Sequence, residues 1–311
     1  MADETIHSER TKVREQPSPP SQGRGTGGRS KLFLDTPFAE LWAGQDPFAA
    51  VERLQGEVFR ELEGRRTVRT EVAGRGYFVK IHRGIGWGRI FENLLLWRWP
   101  VLGAKHEWQA IAHLTALGVD TMKAVAFGAR GVNPARQHSF IITEELAPTV
   151  SLEDYCRNWP TQPPSPALKR ALIARVAAMT GKMHRGGMNH RDCYLCHFLL
   201  HTDPAPAPAS FRAGEKSEIH LRLSVIDLHR AQIRATPAPR RWRDKDLASL
   251  YFSALEIGLT RRDFLRFLRG YFERPLRQIL AEETALFAYL EREGQRLMER
   301  YRRKFAPKET A

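Results

Sequence analysis

Hydrophobic and polar positions alternate over short stretches in the first half of the chain. A side-chain period of two is that of a β-strand, and Gly64 and Gly74 stand where turns would join the first strands. The pattern predicts a small antiparallel sheet. Its expected strands are residues 58–62, 67–72, 77–81, 124–127 and 139–143.

Helical spacing occurs at residues 107–117 and dominates after residue 150. Ser151 and Thr260 each stand three positions before an aspartate, which is the capping-box signature of a helix start. Residues 198–200 and 223–226 are apolar and predict a hairpin, with a projecting loop between them. A strand-rich first half and a helix-rich second half predict an α+β protein of two lobes. The lobes are expected at residues 31–146 and 147–311.

The beginning of the chain differs in composition from the rest. Residues 1–30 are rich in Pro, Gly, Ser and Arg and nearly lack large apolar side chains, so they predict a disordered tail. The chain has 3 cysteines and no recognisable secretion signal, which favours a reducing cytoplasm. The apolar stretch 91–102 is interrupted by charged residues and is too short to cross a bilayer as a helix.

The formal net charge of the chain is +14 at pH 7. An excess of this size indicates an anionic partner, such as nucleic acid, phospholipid, or a phosphorylated or carboxylated substrate. No nucleic-acid recognition motif with base-reading aromatic residues accompanies the charge, so we predict no nucleic-acid partner.

Candidate nucleotide-binding residues lie at the end of a predicted strand and in the helix after it. Lys80 ends the strand, and Glu107 lies early in the helix. Phosphoryl transfer requires a cation on the nucleotide phosphates, and a carboxylate that pairs with this cation would hold it in place. Glu92 is an alternative partner for Lys80. Glu144 and Leu146, at the end of the first lobe, complete the candidates for nucleotide binding.

Carboxylates in the second lobe supply the remaining chemistry. The run His190-Arg191-Asp192 follows an amphipathic helix and precedes an apolar strand, which is the context of a kinase catalytic loop. We predict that Asp192 is the catalytic base that orients the attacking hydroxyl. Asp227 ends a later apolar strand and is predicted to bind Mg²⁺. His197, where that loop normally carries a metal-binding Asn, is the second predicted metal ligand.

The order of these segments predicts an ATP- and Mg²⁺-dependent kinase. Its expected fold is a two-lobed, protein-kinase-like α+β fold, with a small antiparallel-sheet first lobe and a larger helical second lobe. The Gly-rich phosphate loop of protein kinases is missing, since only Gly64 occurs between the first two strands. Arg65 or Arg66 is a candidate to contact the phosphates instead, and a solvated turn is an equally good interpretation.

The cysteines near the predicted base allow rival interpretations. Cys193, Cys196 and His197 match the C-x-x-C-H pattern of haem attachment, but such attachment belongs to exported proteins. A structural zinc site needs about four ligands, and the remaining Cys156 has no C-x-x-C partner, although several histidines lie nearby. We favour small, buried or half-buried thiols in a catalytic loop.

Long runs around these motifs resemble one family more specifically. The chain resembles the lipopolysaccharide core heptose(I) kinases of Gram-negative bacteria from about residue 38 to residue 281. The runs that carry the resemblance are residues 54–63, 118–122, 151–156, 189–194, 225–232 and 240–247.

The resemblance implies a protein-kinase-like fold and Mg²⁺-ATP as phosphate donor, with Asp192 in the proton-acceptor position. It implies an acceptor that is core lipopolysaccharide, a lipid A-anchored glycolipid phosphorylated at the 4-hydroxyl of its first heptose. It also implies peripheral attachment at the cytoplasmic face of the inner membrane, and an acyl carrier protein as a partner. His197 then belongs to the family's own pattern.

Other expectations concern residues outside the motifs. The apolar segment 87–99 is either a helix packed between the lobes, which we favour, or an interfacial helix on a membrane surface. Asp246 is expected to brace the catalytic loop. Arginines of the acceptor groove are sought at residues 240–243 and 261–262, where a solvated helix face is the simpler interpretation. Two other functions stay open: a kinase for proteins or other small molecules, and a non-catalytic scaffold that binds anionic lipid.

Overall fold

The protein is described by a computed structural model, which covers residues 30–62, 64–84, 86–95, 103–133, 135–203, 207–208 and 219–305. The predicted tail lies outside the described residues except for Ser30. Most of the predicted projecting loop, expected at residues 203–209, also lies outside them.

The first half of the chain contains a sheet with helices beside it, as predicted. Its strands are β1 (Lys31–Leu34), β2 (Glu57–Leu62), β3 (Arg65–Val72), β4 (Arg75–His82), β5 (Ala124–Arg130) and β6 (His138–Glu144). Its helices are α1 (Phe38–Leu41), α2 (Pro47–Glu52), α3 (Gly86–Leu95) and α4 (Lys105–Ala116).

Within the described residues the six strands pair antiparallel in the order β1-β5-β6-β4-β3-β2. The alternation along β4 determines which side chains reach the site: Tyr77, Val79 and Ile81 are buried in the core beneath the sheet. Lys80 points to the opposite face because successive side chains of a strand alternate. The five predicted strands are confirmed, whereas β1, α1 and α2 were not predicted.

The second half is mainly helical. Its helices are α5 (Leu152–Cys156), α6 (Pro166–Arg185), α7 (Arg240–Ser253), α8 (Arg261–Phe272), α9 (Leu276–Glu282) and α10 (Thr284–Phe305). Its strands are β7 (Thr149–Ser151), β8 (Met188–Asn189), β9 (Phe198–His201), β10 (Ala207–Pro208), β11 (Ile219–His220), β12 (Leu223–Val225) and β13 (Gln232–Ile233). The sheet half and the helical half together confirm the predicted two-lobed, kinase-like α+β fold, while the boundary at residue 146 stays a prediction.

Local signals determine where the helices of the second lobe begin. The Ser151 hydroxyl accepts a hydrogen bond from the Asp154 N–H, and Thr260 and Asp263 cap each other reciprocally, as predicted. The predicted hairpin is also present, since β9 and β12 pair antiparallel. An isolated parallel bridge between Thr121 and Val225 ties this hairpin to the chain that enters β5.

The apolar segment 87–99 has an exposed apolar face in its described part. Helix α3 leaves Trp87, Phe91 and Leu95 exposed by 49%, 63% and 82%. The three residues recur at a spacing of four and therefore lie along one face of the helix. That face does not pack between the lobes in the described structure. Residues 96–99 lie outside the described part of the chain.

Candidate active site

The predicted phosphate-binding lysine forms the centre of a small ionic network between the lobes. The Lys80 ammonium lies 2.7 Å from Glu107 Oε1 and 3.4 Å from Asp227 Oδ1. Strand β4 supplies the lysine, α4 the glutamate, and the segment after β12 the aspartate. The structure thus brings together three predicted residues that are separated by up to 147 positions along the chain.

Burial and charge act against each other in this network. Burial lowers the pKa of Lys80, but the carboxylates of Glu107 and Asp227 outweigh it and raise that pKa above its ordinary value. Burial likewise opposes ionisation of Asp227. The hydrogen bond from His229 and the charge of Lys80 overcome this effect and hold the pKa of Asp227 well below its usual range. Both groups are charged at neutral pH.

Asp227 occupies a backbone conformation that turns its carboxylate toward the site. Its φ of 59° lies in the left-handed region, which is uncommon for a non-glycine residue and occurs often at functional sites. His229 Nδ1 donates to Asp227 Oδ1 at 2.6 Å. The other carboxylate oxygen, Oδ2, lies 3.8 Å from His197 Nε2. Asp227 Oδ2 and His197 Nε2 therefore face each other without a hydrogen bond.

Asp192 lies in a loop that several buried hydrogen bonds hold in place. The Asp246 carboxylate accepts the N–H groups of His190 at 2.5 Å and Arg191 at 2.8 Å, so it braces the loop as expected. Burial lowers the pKa of His190, which is therefore neutral at pH 7 and donates from Nε2 to the Ile226 carbonyl at 2.9 Å. This bond connects the catalytic loop directly to the strand that leads to Asp227.

The carboxylate of Asp192 is held by an arginine that the sequence patterns did not identify. Arg230 Nη1 donates to Asp192 Oδ1 at 2.7 Å and to Oδ2 at 3.0 Å. The Asp192 carbonyl accepts a hydrogen bond from His197 Nδ1 at 2.7 Å. Because Nδ1 donates to this carbonyl, Nε2 is the ring nitrogen of His197 that is directed toward Asp227.

Arg65, at the start of β3, faces the same ionic network. Arg65 stands opposite His82 in the pairing of β3 with β4, and the Arg65 Nε is buried without a hydrogen-bond partner among the described residues. Burial lowers the pKa of Arg65, whereas the nearby carboxylates of Glu107 and Asp227 raise it. His82 next to it has a pKa lowered to about 3, because burial and the charges of Arg65 and Lys80 disfavour its protonation. The site therefore contains two cations and a neutral histidine on the sheet side.

Other predicted residues do not touch this network. The Glu144 carboxylate lies 2.7 Å from Lys123, and the Leu146 carbonyl accepts a hydrogen bond from the Thr149 hydroxyl. Glu92, the alternative partner of Lys80, is exposed on α3. Of the two glutamates considered as the partner of Lys80, Glu107 is therefore the one that contacts it.

The cysteines lie beside the loop as thiols. Cys193 and Cys156 are buried, and Cys196 is half-buried. Burial raises the pKa of all three, to about 11 for Cys196 and about 12 for Cys156. At neutral pH these groups are protonated and therefore poor nucleophiles and metal ligands.

Comparison with known proteins identifies relatives over most of the chain. Residues 49–271 match the model of the lipopolysaccharide kinase (Kdo/WaaP) family. A Pseudomonas aeruginosa protein named lipopolysaccharide core heptose(I) kinase WaaP is 64% identical over 273 residues, which are 88% of this chain and 98% of the relative. An Escherichia coli protein of the same name is 56% identical over 271 residues, 87% of this chain and 98% of the relative.

A solved structure is similar as well. It is described as WaaP in complex with acyl carrier protein, and it is 61% identical to this chain with a TM-score of 0.73. The match covers 86% of this chain and 99% of the solved chain.

Proposed function

Because the chain belongs to the lipopolysaccharide kinase (Kdo/WaaP) family and is an ATP-dependent kinase, we propose the 4-hydroxyl of the first heptose of the lipopolysaccharide core as its acceptor. The observation that carries the proposal is the Lys80–Glu107–Asp227 network beside the braced loop of Asp192. The relatives named as heptose(I) kinases support the choice of sugar.

Lys80, Arg65 and Asp192 have separate roles in the proposed phosphoryl transfer. Lys80, held by Glu107, binds the phosphates of ATP, and Arg65 contributes a second positive charge from β3. Asp192 accepts the hydrogen bond of the sugar hydroxyl and takes its proton as the oxygen attacks the γ-phosphorus. The bond between the γ-phosphorus and the bridging oxygen breaks, so that ADP leaves and the sugar carries the phosphate.

Asp227 and His197 are the residues that would hold Mg²⁺. Asp227 is ionised, and its Oδ2 is free of hydrogen bonds among the described residues. Magnesium bound to a nucleotide commonly takes one or two carboxylates from the protein and fills its coordination with phosphate oxygens and water. One carboxylate therefore fits a Mg²⁺-ATP site, and the Nε2 lone pair of His197 is the second protein donor in reach. The ion would neutralise the charge that develops on the phosphate oxygens.

Glu144 and Leu146 belong to the proposed nucleotide site by their position. They stand at the end of β6, beside the strand that carries Lys80, since Glu144 pairs with Tyr77 in the sheet. We assign the half-buried Leu146 side chain to apolar contact with the nucleotide and Glu144 to the edge of the same site.

The exposed apolar face of α3 supports a place at the cytoplasmic face of the inner membrane. Trp87, Phe91 and Leu95 together form a stripe that an interfacial helix would bury among lipid headgroups. No helix in the described part of the chain is long and apolar enough to cross a membrane. Peripheral attachment through α3 would keep the site near a lipid-anchored acceptor.

An acyl carrier protein is the second proposed partner, since the solved WaaP structure contains one. The helical lobe encloses a cavity of about 460 Å³ whose lining is largely apolar, including Leu152, Trp159, Val176 and Phe264. Each methylene buried there would contribute about 0.8 kcal/mol, so an acyl chain is the occupant that the lining favours. Filling the cavity by Ala254→Trp should weaken capture of an acylated carrier protein, while Ala174→Trp on the exposed face of α6 should not.

Activity measurements test the proposed reaction. Wild type should transfer labelled γ-phosphate from ATP to heptose-bearing core oligosaccharide and not to a generic protein such as casein. Asp192→Asn should lower kcat about 10²- to 10⁴-fold with an unchanged thermal midpoint. Asp203→Asn, which removes an exposed carboxylate elsewhere, is the matched control. Full activity of the Asp192 variant, or labelling of casein alone, would contradict the proposal.

A further inference from the structure

The arginine-rich start of α7 divides into two faces with different surroundings. Arg240 and Arg243 are paired with acids: both contact Glu283, at 3.2 and 3.0 Å, and Arg243 also contacts Asp244 at 2.7 Å. The ammonium of Lys245 has neither a hydrogen bond nor an ion pair within the described residues, and the same holds for the guanidinium of Arg241. This division follows the helix, because positions 241 and 245 lie one turn apart on one face.

The unpaired face of α7 meets the catalytic loop at Trp242. The Trp242 ring lies 5.2 Å from Arg241 Cζ, 5.7 Å from Lys245 Nζ and 5.7 Å from Arg191 Cζ. Arg191 immediately precedes the proposed base, and its Nε is buried without a hydrogen-bond partner in the described structure. Three cationic side chains thus surround one aromatic ring beside the place where phosphate is transferred.

Arg230 adds a fourth cation, on the proposed base itself. It is 41% exposed and is held only by Asp192 among the described residues. Arg191, Arg230, Arg241 and Lys245 form what we call the basic cluster. The carboxylates nearest to it are Asp192, which holds one cation, and Asp246, whose oxygens are already taken by N–H groups of the catalytic loop.

Three members of the basic cluster, Arg191, Arg230 and Lys245, repel one another. The pKa of Lys245 is lowered by partial burial and by the charges of Arg191 and Arg230, and the pKa of Arg191 is lowered by partial burial and by Arg230. Repulsion among side chains that are half-buried or exposed is relieved when an anion binds between them. The cluster is therefore arranged for a ligand that the chain itself does not supply.

We propose that the basic cluster binds an anionic group of the acceptor, a sugar carboxylate or a sugar phosphate, next to the hydroxyl that receives the phosphoryl group. This inference rests on the proposed function, since it assigns a subsite for the acceptor of that reaction. The acceptor's anion offers Arg230 a partner other than Asp192. Arg230 then moves to the anion, and the Asp192 carboxylate becomes available to the sugar hydroxyl.

The exchange gives the cluster a role in specificity. An acceptor without the anionic group binds more weakly. It also leaves Arg230 on Asp192, where the arginine hinders the approach of the sugar hydroxyl to the base. A neutral sugar is thus rejected at two steps, both of which depend on the same arginine. Arg230 acts through Asp192 and is a positioning residue, whereas Lys245 affects binding of the acceptor alone.

Lys245→Gln is the variant that isolates the subsite, because the Lys245 side chain is exposed and has no hydrogen bond to lose among the described residues. Steady-state kinetics would use core oligosaccharide from cells that lack the kinase, in its native form, with its carboxyls reduced to alcohols, and after enzymatic removal of its phosphates. With the native acceptor, KM should rise about tenfold or more, the loss expected for one charge-assisted contact, while KM for ATP and kcat stay unchanged.

The modified acceptors identify the group and control for general electrostatics. The effect of Lys245→Gln should disappear with the one acceptor from which the recognised group has been removed, be it carboxyl or phosphate. Arg277→Gln, which removes an exposed charge on α9, should leave every KM within about twofold. An unchanged KM of the Lys245 variant, while wild type phosphorylates the native acceptor, would overturn the subsite and leave the proposed function standing. No phosphorylation of any acceptor by wild type would overturn both.

Discussion

Asp246→Asn tests the view that a buried carboxylate fixes the catalytic loop. Asp246 is fully buried, and its Oδ2 accepts the His190 N–H at 2.5 Å and lies 3.2 Å from His184 Nε2. Its Oδ1 accepts the Arg191 N–H at 2.8 Å. Asparagine has the same shape but only one acceptor oxygen, so it can satisfy only one of the two loop N–H groups.

The structure allows the size of the effect to be worked out. If the amide oxygen remains on Arg191, the amide nitrogen points at the His190 N–H, and two donors then face each other. A buried donor left without a partner costs about 1–3 kcal/mol, and the contact with His184 is weakened in addition. We expect the free energy of unfolding to fall by about 3 kcal/mol. For a chain of this size that corresponds to a decrease in Tm of roughly 6–12 °C.

Urea unfolding and steady-state kinetics measure the two consequences separately. The loop that carries Asp192 should shift, and a displacement near 1 Å can cost about 10²-fold in rate, so kcat should fall even where the variant is fully folded. Asp203→Asn serves as the control that keeps both values. A loss of stability below about 0.5 kcal/mol, the range of ordinary surface substitutions, would refute the bracing role of Asp246.

Three further results are expected. Arg65→Gln should raise KM for ATP about tenfold, because one charge on the phosphates is lost, whereas Arg66→Gln on the opposite face of β3 should not. Phe91→Ser combined with Leu95→Ser should reduce sedimentation with anionic phospholipid vesicles, and Leu280→Ser on exposed α9 should have no effect. The pKa of Asp227 is lower in the folded protein than its ordinary value of 3.8, so the ionised carboxylate stabilises the fold above that pH. The difference in free energy of unfolding between wild type and Asp227→Asn should therefore be constant from about pH 5 to 8 and shrink below about pH 4.

Local patterns were sufficient for most of the fold. The alternation of buried and half-buried residues along β4 and the caps at Ser151 and Thr260 depend only on neighbouring residues, so they could be read from the sequence. Strand β1 was not predicted because it is short, at 4 residues, and because it is stabilised by pairing with β5, which lies far along the chain. An amphipathic pattern shows that a helix has an apolar face but not what covers it, so the exposure of Trp87, Phe91 and Leu95 on α3 could not be read from the sequence.

The candidate site could be predicted to a similar extent and for a similar reason. Lys80, Glu107 and Asp227 lie at recognisable places in their elements, so residue type and context identified them. The partner of Asp192 could not be identified in this way, because Arg230 reaches it from 38 positions away through the turn that follows Asp227. Such a contact depends on the angle of a turn rather than on periodicity, and no local signal encodes it.

The hydrogen bonds around His190 explain how two distant motifs can act as one site. The His190 side chain donates to the Ile226 carbonyl, and the backbone N–H of His190 is held by Asp246, so the loop before Asp192 and the strand before Asp227 are fixed through the same residue. The proposed base and the proposed metal-binding carboxylate must keep a constant separation if neither is to reorganise during transfer. Because His190 is neutral and buried, this connection persists at physiological pH and does not compete with the charges proposed to bind ATP and the acceptor.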